Sequence, residues 1–139
     1  MKRLVIVCLV VSGIAVCVLA WLVLDDLVGI PPRVLTATRM WVIKRRILQF
    51  TQSHNQLPSS LSDLPIMTGY DNSVSDEWGH VMAYEVSPSG LVTLTSLGRD
   101  GKIGGSGKDA DMVATFPSHD AQGKWSDELV QWNHDPSSP

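Results

Sequence analysis

Beyond residue 24 this 139-residue chain has no cysteine. Its two cysteines, Cys8 and Cys17, both lie in an uncharged apolar run over residues 4–24. They are nine positions apart, so on a helix they face opposite sides and do not pair with each other. The remainder is therefore expected to fold without a disulfide, and a bound metal is another way to stabilise a small domain. Positive charge is also scarce. From Asp25 onward the chain has all 14 acidic residues but only 9 of the 11 basic ones, a formal charge of −5. That excludes a nucleic-acid partner as the working expectation and is compatible with a divalent cation. Catalytic patterns are missing too. No nucleophile elbow, zinc-binding spacing or paired-carboxylate pattern occurs, and His54, His80, His119 and His134 are scattered. The expectation is a protein that is not an enzyme. An enzyme reading would require an exposed pocket lined by one of these histidines.

What is present begins with the apolar run. Twenty-one residues make about 31 Å of helix, enough to cross a bilayer. Lys2 and Arg3 precede it, and Asp25 and Asp26 follow it. The charge asymmetry places the N-terminus in the cytoplasm and the rest outside. An uncleaved anchor, about residues 1–30, is expected. The alternative is a cleaved signal peptide. The run is long for an h-region, and Val18-Leu19-Ala20 is a poor cleavage site. Ile14-Ala15-Val16-Cys17 is a poorer lipoprotein box.

The exported part, about 33–135, switches between two periodicities. Ile30-Pro31-Pro32 interrupts helical patterning. A helix is expected from Thr36, as N-cap, to Ser53. Met40, Ile43, Ile47 and Phe50 form its apolar stripe, widened by Trp41 and Leu48. Arg39, Lys44, Arg45 and Gln49 occupy the other faces, and Lys44-Arg45-Arg46 reads as a solvated face. Leu57, Leu61 and Leu64 are spaced to tuck under a sheet, with Ser59 or Ser60 capping a short turn. Val81 to Val86 and Leu91 to Ser96, joined by Ser87-Pro88-Ser89-Gly90, read as a hairpin. Trp78 is expected in the core. His80, without a second ligand at metal spacing, reads as a surface or hydrogen-bonded histidine. Trp125, Leu129, Val130 and Trp132 suggest a short amphipathic turn, capped within Ser126-Asp127-Glu128. Residues 136–139 are expected to be disordered.

Ser96 to Met112 is the most specific stretch. Seventeen residues hold five glycines and three aspartates. Glycines let a backbone fold back on itself, so that aspartates and carbonyls converge as hard oxygen ligands. The loop is not an EF-hand: Gly101 and Ile103 stand where that loop needs alternate oxygen ligands, and no Glu closes it. Nor is it a phosphate loop, because the first glycine of that pattern falls on Lys102 and Asp109 replaces the Ser/Thr. A flexible, metal-free surface loop is the remaining alternative.

This loop resembles the pattern S-L-G-x-D-G-x-x-G-G-x-G-x-D-A-D-[IM] of the type II secretion pseudopilin family, general secretion pathway protein G. Leu57-Pro58 through Leu64 resembles that family's L-P-x-S-L-x-D-L turn. Asp76, Trp78, Gly79, Met82 and Tyr84 match its D-x-W-G-x-x-[YMF]-x-Y. The resemblance covers about residues 36–116. It implies a pilin-like α+β fold: an N-terminal transmembrane helix, then an amphipathic helix packed on a small antiparallel β-sheet with a calcium-binding loop. It implies Ca2+ bound by Asp100, Asp109 and Asp111, with the Leu97 carbonyl and an oxygen near Ser106. Asp100 is the best-placed ligand in this reading. Asp109 and Asp111 both reach the ion if 109–111 is extended; if it turns, only one does and Asp111 caps the turn. The implied partners are other pseudopilin-like subunits or secretion-system membrane proteins, at a bacterial inner membrane with the domain outside.

Two departures stand out. The family's prepilin-peptidase site, G-[FM]-T-x-x-E, is not matched: Gly13 is followed by Ile14 and Ala15, and no Glu precedes Glu77. The family's tail, [IF]-x-x-W-[ND], is displaced here, with its tryptophans farther along. A membrane-anchored binding module that uses the fold without forming a filament is the competing reading.

Overall fold

The computed structural model describes residues 29–128 and 130–133. The compact unit begins at Pro31. Its first element is helix α1, Pro32–His54. Pro31 sits extended at the N-cap with Pro32 following at N1. A proline there costs nothing, because its missing amide would have no partner in the helix. The Pro31 carbonyl accepts from the amides of Val34 and Leu35 at 2.9 and 3.2 Å. Asn55 ends the helix in the left-handed conformation, φ 53°, with its amide on the Thr51 carbonyl. The helix thus starts four residues before Thr36. Thr36 is no cap; it is buried, and its Oγ1 accepts from the Glu77 amide at 3.1 Å.

Four strands follow as an antiparallel meander in the order β1-β2-β3-β4. They are β1 Ala83–Val86, β2 Leu91–Ser96, β3 Met112–Pro117 and β4 Gln131–Trp132. The expected hairpin is β1–β2, pairing Ala83 with Thr95 and Val86 with Val92. Its turn closes through the Gly90 amide on the Ser87 carbonyl at 2.9 Å. Val81 falls just outside β1, in an isolated bridge with Ser75. Alternation sets the inner face: Val92, Leu94 and Ser96 of β2, and Met112, Ala114 and Phe116 of β3, are all buried. Met40, Ile43 and Ile47 of α1 pack with them, and Leu61, Leu64 and Met82 complete the cluster. Burying each such large side chain stabilises by about 1.5–3 kcal/mol. Leu57 packs on the margin, and Ser60 with Asp63 forms a capping box before Leu61. The architecture is α+β, one helix on a four-stranded antiparallel sheet.

Four expectations are corrected. The tail makes no amphipathic turn: Gln131 and Trp132 pair with Thr115 and Ala114 and become β4. The edge of β3 offers unpaired backbone groups, and a returning strand satisfies them. Leu129 lies outside the described residues. Lys44 and Arg46 are no solvated face; each is 4 % exposed. The loops laid over α1 turn carbonyls toward them. Arg46 donates to the carbonyls of Leu64, Pro65 and Asn72, and Lys44 to that of Glu128. Trp41, by contrast, is 45 % exposed and carries the Arg45 guanidinium over its ring at 4.9 Å. Trp78 is half-buried, and Asp76 is the buried member of its turn.

Among the described residues no helix is long and apolar enough to cross a membrane. The expected anchor over 4–24, its two cysteines and the 136–139 tail lie outside the described residues.

Candidate metal centre

The glycine-rich loop joins β2 to β3, the two central strands, so its ends are fixed by their register, Ser96 opposite Met112. Its two limbs run against each other, with the Arg99 amide on the Lys108 carbonyl at 2.9 Å. The Asp109 carbonyl is pinched between two glycines. A Cβ at Gly98 (φ +67°) or Gly105 (φ +87°) would stand 2.7 or 2.5 Å from that oxygen. Only glycine tolerates both the conformation and the approach. Gly107–Asp109 forms a single 3-10 turn, with the Asp109 amide on the Ser106 carbonyl.

The three aspartates have separate environments. Asp111 Oδ2 accepts from the Gly104 amide at 3.0 Å. Asp111 Oδ1 is buried and has no hydrogen-bond partner among the described residues. A buried acceptor left in that state costs about 1–3 kcal/mol, and more when charged. Asp109 is held by Arg99 through a two-pronged pair, Nε to Oδ1 at 2.8 Å and Nη2 to Oδ2 at 3.0 Å. That carboxylate raises the Arg99 pKa above its usual value. Asp100 is exposed, with Oδ1 accepting from the Lys102 amide at 3.1 Å. Leu97 is half-buried where the chain leaves β2; Ser106 is exposed, and its side chain makes no cap bond. The turn lies at 107–109, Ala110 is extended after it, and Asp111 accepts from Gly104 across the loop, so the chain follows neither of the two expected geometries for 109–111 as stated. Among the described residues no three acidic, histidine or cysteine side chains gather as a metal cluster. Among the described residues, the unpartnered Asp111 Oδ1 is the observation that fits a hard cation, which Asp111 would anchor.

A family model described as Type II secretion system (T2SS), protein G matches residues 42–115. The chain belongs to the type II secretion system protein G family. The type II secretion system core protein G of Xanthomonas campestris pv. campestris is 32% identical over 89 residues; the match covers 56% of this chain and 62% of that protein. It thus spans less than two thirds of that relative's length. No solved structure matches the chain at a significant level.

In this protein G family chain, the matched segment starts inside α1 and stops within β3. Three groups that hold the loop were not foreseen. Arg33, before the segment, donates from Nη1 to the carbonyls of Gly107 and Ala110 at 3.0 and 2.9 Å. Asn133, after it, donates from Nδ2 to the Asp111 carbonyl at 3.2 Å and accepts from the Val113 amide at 3.0 Å. Asp76, within it, braces the loop's entry. Asp76 Oδ1 accepts from the amides of Trp78 and His80 at 3.0 and 2.9 Å, and Oδ2 from the Ser96 hydroxyl at 2.7 Å. His80 Nδ1 meets the Gly98 carbonyl at 3.0 Å, so it is hydrogen-bonded as expected. The Asp76-x-Trp78-Gly79 spacing was a usable signal for a side-chain-closed turn; nothing in pattern pointed to Arg33 or Asn133. A groove of about 500 Å3 between α1 and the Trp125–Asp127 segment is lined by no histidine, so it is not the pocket that an enzyme reading requires.

Proposed function

We propose that this chain is a pseudopilin-type structural subunit of a type II secretion assembly. In this reading residues 4–24 anchor it in a bacterial inner membrane, and the α+β domain stands outside. The family match over 42–115 carries the proposal, because that segment contains most of α1, the β1–β2 hairpin and the whole glycine-rich loop. The family's description names a secretion-system component, which supports a structural role. The partners are then other pseudopilin-like subunits or secretion-system membrane proteins, met through protein surfaces and the lipid-embedded segment.

The second part of the proposal is that loop 97–111 binds one Ca2+. Asp111 supports it most directly, through its buried and unpartnered Oδ1. Asp109 joins by exchanging Arg99 for the ion, a small loss because an exposed ion pair contributes little. Asp100, the Leu97 carbonyl and an oxygen near Ser106 complete the set. Calcium supplies a divalent charge that six to eight oxygens share.

The unmatched prepilin-peptidase motif keeps one rival in play, an anchored binding module that does not polymerise. The test is cross-linking of the full chain in membranes that carry the other secretion components. Cross-links between copies, and to other pseudopilins, are expected. Exclusive cross-linking to a protein without a pseudopilin fold would favour the module.

A further inference from the structure

Arg33 is buried, 5 % exposed, in the first turn of α1, and its guanidinium bonds the carbonyls of Gly107 and Ala110. These carbonyls bracket Asp109, and Ala110 immediately precedes Asp111. One side chain thus fixes the turn that aims both aspartates. The tie is long-range, across 74 and 77 residues. Its helix end, Arg33, lies before the segment matched by the family model, and its loop end lies within it. Carboxylates and carbonyls gathered in one loop favour a cation held beside them. A guanidinium provides that charge with several directed donors and stays charged at neutral pH. Burial lowers its pKa from the ordinary arginine value.

We propose that Arg33 is the loop's resident cation and positioning residue: it holds the 107–111 limb in its ion-binding shape before any metal arrives. The loop is then ordered without calcium, and calcium binds to a limb already in place. The inference rests on the proposed calcium site for its second consequence alone; the first concerns the loop by itself.

Hydrogen exchange of the full chain in detergent, in chelator and in calcium, tests both. In chelator, Arg33→Gln is expected to raise exchange of the 104–111 amides by roughly tenfold, while β2 and β3 amides keep their protection. Saturating calcium restores the loop, with a midpoint shifted to higher calcium because binding must now also order the limb. Arg33→Lys, which keeps the charge but not the fork of donors, falls between. Were Arg33 only a nearby charge, its removal would tighten calcium binding and leave loop exchange unchanged; either result overturns the proposal. If Arg33→Gln loses core protection as well, the comparison is read from Arg33→Lys, and wild-type loop exchange in that variant overturns it. If wild type shows no calcium effect, the calcium reading fails, and the chelator arm still decides the role of Arg33.

Discussion

Asp76 lies outside the proposed ligand set, and its carboxylate and backbone carbonyl together join three stretches of chain. It takes the Trp78 and His80 amides of its own turn and the Ser96 hydroxyl at the end of β2. Its backbone carbonyl receives Arg39 from α1. Asp76→Ala leaves buried donors without an acceptor, and a loss of about 2–3 kcal/mol in unfolding free energy is expected. An unfolding free energy lowered by less than about 0.5 kcal/mol would show that solvent replaces these bonds. Asp71 is the contrasting case, at the surface. The Ser73 amide, and then Arg39, hold its pKa below the usual carboxylate value. A carboxyl group whose folded pKa is depressed stabilises above its unfolded pKa, near 3.9, and the contribution disappears as pH falls through the folded value. Half-exposed as it is, Asp71 contributes under about 0.5 kcal/mol after solvent screening. Asp71→Asn is therefore expected to lose that small amount at pH 7 and to match wild type in strong acid. A difference that grows on acidification would reverse the assignment.

At the scale of elements, α1 is held on two sides by different chemistry. One side is the stripe of Met40, Ile43 and Ile47 against the sheet. The other is a set of cations, Arg46 above all, that satisfy carbonyls of the covering loops. Arg46→Leu keeps the bulk but strands the carbonyls of Leu64, Pro65 and Asn72. A cost of about 3 kcal/mol is expected in equilibrium unfolding, and a neutral variant would mean that water reaches those carbonyls. The apolar stripe was legible because its period is local. The burial of Lys44 and Arg46 was not, because loop carbonyls 18 or more residues away decide it. The β1–β2 hairpin was legible through Ser87-Pro88-Ser89-Gly90, whose turn chemistry is local. β4 was not: two residues show no alternation, and it exists because β3 has a free edge. The helix start was misplaced since Pro31-Pro32 reads as a breaker, whereas proline at N1 is also a good beginning.

For the whole molecule, the loop's location in the fold gives it leverage. It connects the two central strands, and Arg33, Asp76 and Asn133 brace it from the helix, the preceding turn and the tail. Ordering it therefore bears on the entire unit. The sequence made the loop and its three acids legible. Which acid turns inward was not, because positive-φ glycines at 98 and 105 set the path of the chain; Asp100 ends exposed and Asp111 inside. The central claim is that a protein G family domain is stabilised by calcium at this loop. The thermal midpoint of the full chain in detergent, with calcium and with chelator, tests it for wild type and Asp111→Asn. At a hundredfold excess over the dissociation constant, calcium adds about 2.7 kcal/mol, a rise on the order of 10 °C for a domain of this size. Asp111→Asn is expected to abolish that rise without lowering the metal-free midpoint, since the amide oxygen keeps the Gly104 bond while the carboxylate with its unpartnered buried oxygen is removed. Identical wild-type melting in calcium and in chelator would contradict the account.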